Sequence, residues 1–500
     1  MDQVLYWNEV ALEANRVSFT DKDKSEQGGP TLSSRALGII HIAMHDAYVG
    51  SSNTTTFPAY LGSLLPMKPA PSSADPSAAV AGAAHTTLIS LYPKQKSFFD
   101  SKLNTIPHIL TGKEQGYQYG CMVAKTILEL RKNDPGNGDA NPGNPNDRYI
   151  PHVGKGKHKS DPDNAQGFLG PFYGGSKLFS ATTRHALNAP PFLSTNTPLV
   201  YNGDYIRALE NVREKGIAPD LMGTLPNPNA KRTANESLIG IFWAYDGSNS
   251  IGTPPKLYNQ IVRALAMNNH DIKDHSDLSG NKFFKDEFER NVRLFALVNI
   301  ALADAGILAW EQKYVHNFWR PVIGVREHDK SMGSTGIGNN QIDAHCDPMW
   351  LPLGAPKSNN DGSKNFTPDF PAYPSGHATF GSASLHIARL FFGVAKGDKN
   401  SDGLFRNCYI ISDELNGVTK DNNGTIRPSH VRNFPNGLWE MIIENALSRI
   451  YLGVHWSFDA FKTNPDNVTP VLGQSVGGVD LGLAIAEDIF FNSKLTKSTA

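Results

Sequence analysis

Cysteine is scarce in this chain, which has three in 500 residues: Cys121, Cys346 and Cys408. Their number is odd and their spacing is wide, so they predict neither a disulfide framework nor a cysteine-based zinc site. The redox state of the compartment in which the protein works therefore stays open.

An excess of charge of either sign is also lacking. Lys and Arg number 47, Asp and Glu number 48, and the formal net charge is -1. Sequence-independent binding to nucleic acid needs a basic face that neutralises phosphates. The composition therefore predicts no nucleic-acid partner.

Long apolar runs are few. The most apolar stretch, residues 294–310, is interrupted by Asn299 and Asp304, which predicts a soluble protein with no membrane span. The N-terminus carries two acidic side chains early and has no uninterrupted apolar segment, so it does not resemble a signal peptide. Secretion is unsupported but not ruled out, and the sequence leaves the localisation unknown.

Helical periodicity dominates what is present, and the alternation typical of half-buried strands is rare. At 54.5 kDa and 39% apolar residues, the chain is large enough for two packed modules or one bipartite module. We predict an all-α fold of two helical bundles with long irregular connecting loops. The predicted helices are 34–48, 77–92, 111–130, 204–215, 237–245, 257–267, 284–318, 376–392, 439–452 and 479–491.

A long loop is the best candidate for a boundary between the bundles. From 133 to 147 every residue except Ala140 is Gly, Pro, Asn or Asp, a composition that predicts neither helix nor strand. The low-structure region continues to about Gly175. We therefore place an N-terminal bundle and long loop at 1–175 and a C-terminal bundle carrying the functional site at 176–500.

Three separated segments concentrate chemically useful side chains. The first contains Lys313 and Arg320, which are seven residues apart and would share one face of a continuous helix. Beside the apolar rings of Trp310, Phe318 and Trp319, two cations would be costly unless an anion or a carboxylate compensated them. The alternative is a solvated basic edge of a long helix, and for this pair alone that is the more frequent case.

The second segment is Pro374-Ser375-Gly376-His377. Ser375 is predicted to cap a helix, so that the amides of Gly376 and His377 lie on its first turn. Free amides and the helix dipole favour a bound anion, which His377 would face. An ordinary helix start next to a surface histidine is the alternative.

The third segment contains Arg449, His455 and Asp459. A spacing of four lets the Asp459 carboxylate accept an imidazole N–H from His455 and leaves the other ring nitrogen nucleophilic or ligating. Gly453 is predicted to end the preceding helix and let His455 turn back toward Arg449.

This ordered set resembles the phosphate-site pattern of the type 2 phosphatidic acid phosphatase superfamily, which includes bacterial acid phosphatases and vanadium-dependent haloperoxidases. Within it, the chain is most similar to the fungal-type vanadium chloroperoxidases, over nearly its whole length. The segments that carry the resemblance are SSRALGIIHIAMHDAY at 33–48, FYGGSKLFS at 172–180, FWAYDGSNSIGTPPKLYNQIVRALA at 242–266, the run 310–321, FPAYPSGHATFG at 370–381 and ENALSRIYLGVHWSFDA at 444–460.

The resemblance implies one vanadate cofactor per chain. His455 would be the single protein ligand of vanadium, His377 would lie opposite as the acid/base, and Lys313 would also donate to bound peroxide. Hydrogen bonds to the vanadate oxygens would come from Lys313, Arg320, Ser375, Gly376 and Arg449.

The resemblance also implies the surroundings of the cofactor. Asp246 would pair with Arg449, in addition to the Asp459–His455 pair expected from the spacing. Trp310 and Phe370 would line the halide side. Algal bromoperoxidases usually carry His where this chain has Phe370, which favours competence for chloride.

The implied function is a haloperoxidase that oxidises chloride or bromide with hydrogen peroxide to hypohalous acid, with an organic substrate left open. The alternative is an acid phosphatase that binds phosphate with the same residues, here called the cage. His455 would be the phosphoryl acceptor and His377 the leaving-group acid.

Other histidines are interpreted as structural. His41 and His45 have zinc-like spacing on a helix, but no glutamate general base follows them. Residues 327–347 form a stretch longer than its counterpart in the fungal enzymes, and its role is not predicted. His345 and Cys346 in that stretch lack a second pair of ligands, so they are interpreted as ordinary loop residues.

Overall fold

The fold is all-α, as the sequence predicts, with about 51% of residues in helices. The structure is a computed structural model, and it describes residues 2–52, 57–64, 68–107, 113–138, 140–141, 144–163, 165, 167–193, 200–268, 284–338, 340–360, 362–465, 469–493 and 495. The α-helices in these ranges are α1 (Gln3–Thr20), α2 (Gly29–Ser51), α3 (Pro76–Leu91), α4 (Lys96–Asn104), α5 (Glu114–Leu130), α6 (Gly203–Lys215), α7 (Ala234–Phe242), α8 (Pro254–Asn268), α9 (Glu287–His316), α10 (Pro321–Gly324), α11 (Gly376–Phe391), α12 (Gly437–Tyr451), α13 (Ser457–Ala460) and α14 (Gly477–Asn492).

Helix boundaries follow local capping rules. The Asp75 side chain accepts a hydrogen bond from the Ala78 amide and Pro76 opens α3, which covers the predicted helix at 77–92. Helix α2 begins at Gly29, so the predicted start at residue 34 is wrong, because Pro30 already fits the first turn. Residue 111, the predicted start of the third helix, lies outside the described residues.

The prediction that residues 133–147 form no strand is also wrong. Strands β1 (Ala140–Asn141) and β2 (Asn144–Arg148) pair antiparallel. A two-stranded edge pairing needs backbone partners more than particular side chains, and an edge strand tolerates proline. The other short pairs are β3 (Ile410–Ile411) with β4 (Val431–Arg432) and β5 (Lys462–Thr463) with β6 (Pro470–Val471).

Helix α9 is the central element, since it packs against α2, α11 and α14. By length and composition alone α9 could cross a membrane, but its most apolar window is entirely buried inside the protein. A core helix of a folded protein passes the same test. The apolar run 294–310 is therefore accounted for by packing.

One apolar core joins the two predicted bundles. It includes residues of α2 and α3 from the first bundle and of α9, α11 and α14 from the second. A smaller aromatic core lies next to it and contains Tyr205, Trp319, Trp350 and Trp456. The boundary at 175/176 stays a prediction.

Asp304, one of the two polar residues in the apolar run, fixes the chain just after that boundary. It is fully buried on α9, and its carboxylate accepts hydrogen bonds from the amides of Phe179, Ser180 and Ala181 at 2.5, 2.9 and 2.7 Å. Burial raises the pKa of Asp304, and the three amides oppose that shift. The carboxylate thus holds the 179–181 segment on the central helix.

Replacing Asp304 by Asn keeps the shape of the side chain but places an NH2 group opposite a backbone amide. We expect Asp304→Asn to lower the free energy of unfolding by about 1.5–3 kcal/mol, the range for a hydrogen bond to a charged group. Urea unfolding would measure the change, with the exposed Asp220→Asn as the control. An equal effect of the two substitutions would contradict the assignment.

Candidate active site

The structure brings all three predicted segments together. They meet at one buried site. Its polar residues come from the last turn of α9, the residue before α10, the first turn of α11, the end of α12 and the loop into α13. The seven side chains that would form its polar wall are less than one-tenth exposed: Lys313, Arg320, Ser375, His377, Arg449, His455 and Asp459.

Lys313 and Arg320 do not lie on one continuous helix, which corrects the prediction. Helix α9 ends at His316 because Asn317 adopts a left-handed conformation, with φ of 49°. Arg320 is extended, as residues before a proline usually are. The two cations therefore approach the site from two separate elements.

Lys313 is anchored by carbonyl oxygens. Its Nζ donates to the carbonyls of Pro371 and Ala372, each at 3.0 Å, and to the carbonyl of Pro374. Burial, followed by the nearby charge of Arg320, holds the pKa of Lys313 well below its usual range. An anion in the site would restore that pKa, since an opposite charge favours the ammonium form.

Arg320 is held on three sides. Nε donates to the Phe370 carbonyl at 2.9 Å, while Nη1 donates to the Val454 carbonyl at 2.8 Å and to Nε2 of His455 at 2.9 Å. Its Nη2 is buried without a hydrogen-bond partner among the residues that the structure describes. Burial lowers the pKa of Arg320 to about 9.

The first turn of α11 forms the floor. Ser375 is its N-cap, as predicted, with Oγ accepting from the Ala378 amide at 3.4 Å. The Ser375 amide donates to the Asp459 carbonyl at 2.8 Å, which fixes α11 against α13. A Cβ on Gly376 would lie 3.5 Å from the Trp310 ring and 3.9 Å from Cε of Lys313, so the missing side chain leaves space beside the lysine.

Arg449 at the end of α12 pairs with Asp246 in the loop after α7. Nη1 and Nη2 donate to the two carboxylate oxygens at 2.9 and 2.8 Å, a bidentate geometry. Nε of Arg449 is buried and has no partner within the described part of the chain. The pairing expected from the resemblance is therefore present, and the Nε–H group remains available to a ligand.

Gly453 turns the chain after α12, as predicted. It has φ of 71°, its amide donates to the Ile450 carbonyl, and the Val454 amide donates to the Arg449 carbonyl. This pair of bonds is the Schellman pattern, which favours glycine at the left-handed position. The turn carries His455 back to the site.

His455 is oriented by Asp459. Nδ1 lies 2.7 Å from Oδ2 of Asp459, so the ring donates from Nδ1 and keeps the lone pair on Nε2. Burial, then the charge of Arg320, lowers the pKa of His455 well below its usual range. Burial raises the pKa of Asp459 to about 7, against the lowering effect of Lys313 and Arg320. The imidazole is thus neutral and has an electron pair on Nε2, which is the form that ligates metals.

His377 is neutral for a similar reason. Its Nε2 donates to the Ala244 carbonyl at 2.6 Å, which leaves Nδ1 as the acceptor. Burial, then the charge of Arg449, lowers the pKa of His377 to about 3. Ala244 precedes Asp246 in the loop after α7, and no sequence signal marked its carbonyl as a partner of His377.

Aromatic rings form the opposite wall. The rings of Trp310 and Phe370 are 4.8 Å apart, and Nζ of Lys313 lies 5.1 Å from the Phe370 ring centroid. Both rings face a cavity of about 200 Å³ that Gly376, His377, Arg449 and His455 also line.

Several cavity residues escaped the sequence analysis. The N-terminal half contributes Phe19, Gly29, Pro30 and Leu169, and the 357–369 segment contributes Lys357, Phe366, Pro368 and Asp369. None of these positions belongs to a catalytic spacing pattern, and tertiary packing alone brings them to the cavity. The site is therefore built by both halves of the chain.

The histidines interpreted as structural lie in the core. His41 has Nδ1 2.7 Å from the Leu37 carbonyl and Nε2 2.9 Å from the Asn8 amide nitrogen. Nδ1 of His45 lies 3.0 Å from the Asp46 carboxylate. Neither takes part in a potential metal-binding group among the described residues.

Fold and site together define a helical-bundle protein in which buried cationic side chains and two histidines meet at one cavity. Family models described as the vanadium chloroperoxidase N-terminal domain and the VCPO second helical-bundle domain match residues 1–170 and 293–477. The chain is 34% identical to the vanadium chloroperoxidase of Curvularia inaequalis, over 99% of this chain and 85% of that protein. The protein belongs to the family of vanadium-dependent haloperoxidases, whose cofactor is vanadate and whose reaction partners are hydrogen peroxide and a halide.

Solved structures show the same fold. A bacterial vanadium-dependent iodoperoxidase matches with a TM-score of 0.62 and 18% identity, covering 96% of each chain. The apo-type structure of a bacterial vanadium-dependent chloroperoxidase matches with a TM-score of 0.55 and 18% identity, covering 92% of this chain and 94% of that one. Its holo-type counterpart gives a TM-score of 0.53 and 17% identity, with 94% of each chain covered.

Proposed function

We propose that this haloperoxidase oxidises chloride as well as bromide with hydrogen peroxide, producing hypohalous acid, and that vanadate is held in the cage described above. The proposal rests on one observation: Arg320 and Arg449, which meet His455 at this site, each have a buried nitrogen without a hydrogen-bond partner among the described residues. Buried donors without partners are costly in a protein interior. An oxyanion bound at this place would satisfy them.

The residues fit such an anion in charge and in shape. Of the three cations Lys313, Arg320 and Arg449, only Arg449 forms a salt bridge within the described residues, with Asp246. The proposed oxygen-binding set is completed by the first-turn groups of α11, Ser375 and Gly376. The start of α11 adds amides and a favourable dipole. When bound, vanadate supplies a Lewis acid that activates peroxide toward attack by the halide.

His455 is proposed as the single protein ligand. Asp459 accepts the Nδ1 proton and thereby orients the Nε2 lone pair, the usual role of a carboxylate behind a ligating histidine. Nε2 now accepts a hydrogen bond from Nη1 of Arg320. Ligation through Nε2 would release that N–H to an oxygen of the bound anion, so ligand and cage would act together.

His377 is proposed as the acid/base. Its Nε2 proton is engaged by the Ala244 carbonyl, so Nδ1 is the position that accepts and returns a proton. The low pKa of the ring reflects burial beside Arg449. A bound anion would raise the pKa toward the range in which proton transfer is efficient. Lys313 is proposed to donate a hydrogen bond to peroxide by exchanging one of its three carbonyl contacts.

Trp310 and Phe370 are proposed to line the halide side. The cations Lys313 and Arg320 lie 5.1 and 4.9 Å from the Phe370 ring, so this wall is apolar but backed by positive charge. Electrostatic attraction is stronger when water is excluded. We therefore expect this wall to attract chloride, a small anion that is difficult to oxidise.

The alternative is phosphomonoester hydrolysis by the same cage. The feature that favours it is the His455–Asp459 pair, which leaves Nε2 nucleophilic toward phosphorus, while His377 lines the same cavity and would protonate the leaving group. Peroxide consumption and phosphate-ester hydrolysis should be measured with and without orthovanadate. Halide-dependent peroxide consumption that requires orthovanadate supports the haloperoxidase proposal, and hydrolysis without any such consumption contradicts it.

His455→Ala removes the proposed ligand while leaving the hydrogen-bonding cage. We expect the folded variant to lose vanadium on dialysis, because hydrogen bonds alone would hold the anion reversibly. Vanadium content after dialysis measures this, and circular dichroism checks the fold. Full vanadium retention together with turnover would reject His455 as the ligand.

His377→Ala separates acid/base catalysis from cofactor binding. We expect vanadate affinity to be largely kept and halide oxidation to fall about a hundredfold or more, the usual contribution of general acid/base catalysis. Steady-state rates on vanadate-loaded protein measure the effect. An unchanged rate of chloride oxidation would remove His377 from the mechanism.

Phe370→His places a titratable ring between Trp310 and the two cations. We expect the parent enzyme to oxidise bromide readily and chloride measurably at mildly acidic pH, and the variant to lose more chloride than bromide oxidation. Rates for both halides across pH test this. Phe366→His is the matched control, since Phe366 lines the same cavity but contacts Lys357 instead. Equal losses for both halides in Phe370→His would contradict the argument.

A further inference from the structure

The 327–347 segment folds back on itself and brings a second set of ligating side chains together. His328 near its start lies close to Asp343 and His345 near its end. One ligand atom from each of the three residues lies within 4.8 Å of the others. Nε2 of His328 is 3.7 Å from Oδ1 of Asp343, and Nδ1 of His345 is 2.9 Å from the same oxygen.

His328 is the least expected member of this group. Its side chain is 1% exposed, yet neither ring nitrogen has a hydrogen-bond partner within the described ranges. The rings of Tyr201 and Tyr205 pack against it, with centroids at 4.3 and 5.8 Å. The Tyr201 hydroxyl donates to the His328 carbonyl at 2.7 Å, which fixes the backbone as well. Leaving both nitrogens of a rigidly held, buried imidazole without a partner is costly, and a bound ligand would remove that cost.

His345 is hydrogen-bonded to a carboxylate through each of its ring nitrogens. Its Nδ1 faces Asp343, while Nε2 lies 3.1 Å from Oε1 of Glu210 on helix α6. A carboxylate that accepts the distal N–H is the usual support behind a ligating imidazole. Cys346 stays outside the group, because its thiol donates to the Arg326 carbonyl at 3.4 Å.

We propose that His328, Asp343 and His345 bind one divalent transition-metal ion of the Zn²⁺ type, with Glu210 orienting His345. Two imidazoles and one carboxylate suit such ions, whereas Ca²⁺ and Mg²⁺ prefer oxygen ligands alone. Tetrahedral Zn²⁺ with bonds of about 2.0–2.2 Å sets its ligand atoms roughly 3.3 Å apart. The side chains of Asp343 and His345 are partly exposed, so rotation about their own bonds can bring their ligand atoms to that spacing. His328 stays fixed.

The ion would clamp the two ends of the segment to each other and, through Glu210, to α6. This helix contributes Tyr205 to the aromatic core that contains Trp319 and Trp456, the neighbours of Arg320 and His455 in sequence. The metal site is distinct from the vanadate cage, because it shares no residue with it.

Zn²⁺ alone is the probe. Chelator-treated full-length protein should bind one Zn²⁺ per chain in a calorimetric titration, with Mg²⁺ producing no comparable signal. His345→Ala and Asp343→Asn should each weaken Zn²⁺ binding at least tenfold, and Glu210→Gln about tenfold, the low end of the effect seen for supporting residues. His152→Ala, which removes an exposed imidazole elsewhere, should bind as the wild type does.

Both ligand substitutions lie at partly exposed positions, and circular dichroism would check that the variants fold. Wild-type protein that binds no Zn²⁺, or Zn²⁺ binding that survives both His345→Ala and Asp343→Asn, would overturn the proposal. Because Zn²⁺ binding is measured without peroxide or halide, the outcome is independent of the proposed reaction.

Discussion

The burial of three cations around one point is the constraint on which the site depends. Lys313, Arg320 and Arg449 are almost completely buried, and within the described residues only Arg449 is paired with a carboxylate in a salt bridge, that of Asp246. Burying an unpaired charge costs several kcal/mol per ion by usual accounts. The surrounding structure offsets part of this cost with carbonyl oxygens, which take up all of the Lys313 hydrogen bonds and most of those of Arg320.

Much of the fold was predictable because local rules act within short windows. The Asp75 cap, the Ser375 cap and the Gly453 turn each follow from the chemistry of one or two residues, and all three are present. Helix α1 was not predicted. Its buried face contains the polar side chains of Asn8, Asn15 and Ser18, which interrupt the apolar stripe. Asn8 and Asn15 find their partners through tertiary packing, with Asn259 and Thr253.

The polar part of the candidate site was predictable for a related reason: cations, histidines and a helix cap stand in a spacing that few other structures require. The path of the chain between them was not. Lys313 and Arg320 share a helical period in the sequence, but the left-handed Asn317 and the proline after Arg320 end the helix between them. The cavity wall from Phe19, Leu169 and Asp369 carries no local signal, since contacts between distant segments create it.

The hydrogen bonds of Leu169 determine how late the cavity wall can form while the chain is being synthesised. Its carbonyl accepts from Trp310 and Tyr314 on α9, and its amide donates to the Asp369 carbonyl. The wall of the cavity therefore joins parts of the chain that are synthesised about 140 to 200 residues apart, and His455 arrives later still. Contacts of such long sequence separation form late in folding. A growing chain on the ribosome would accordingly expose its cationic segments singly, and the complete anion site would form only near the end of synthesis.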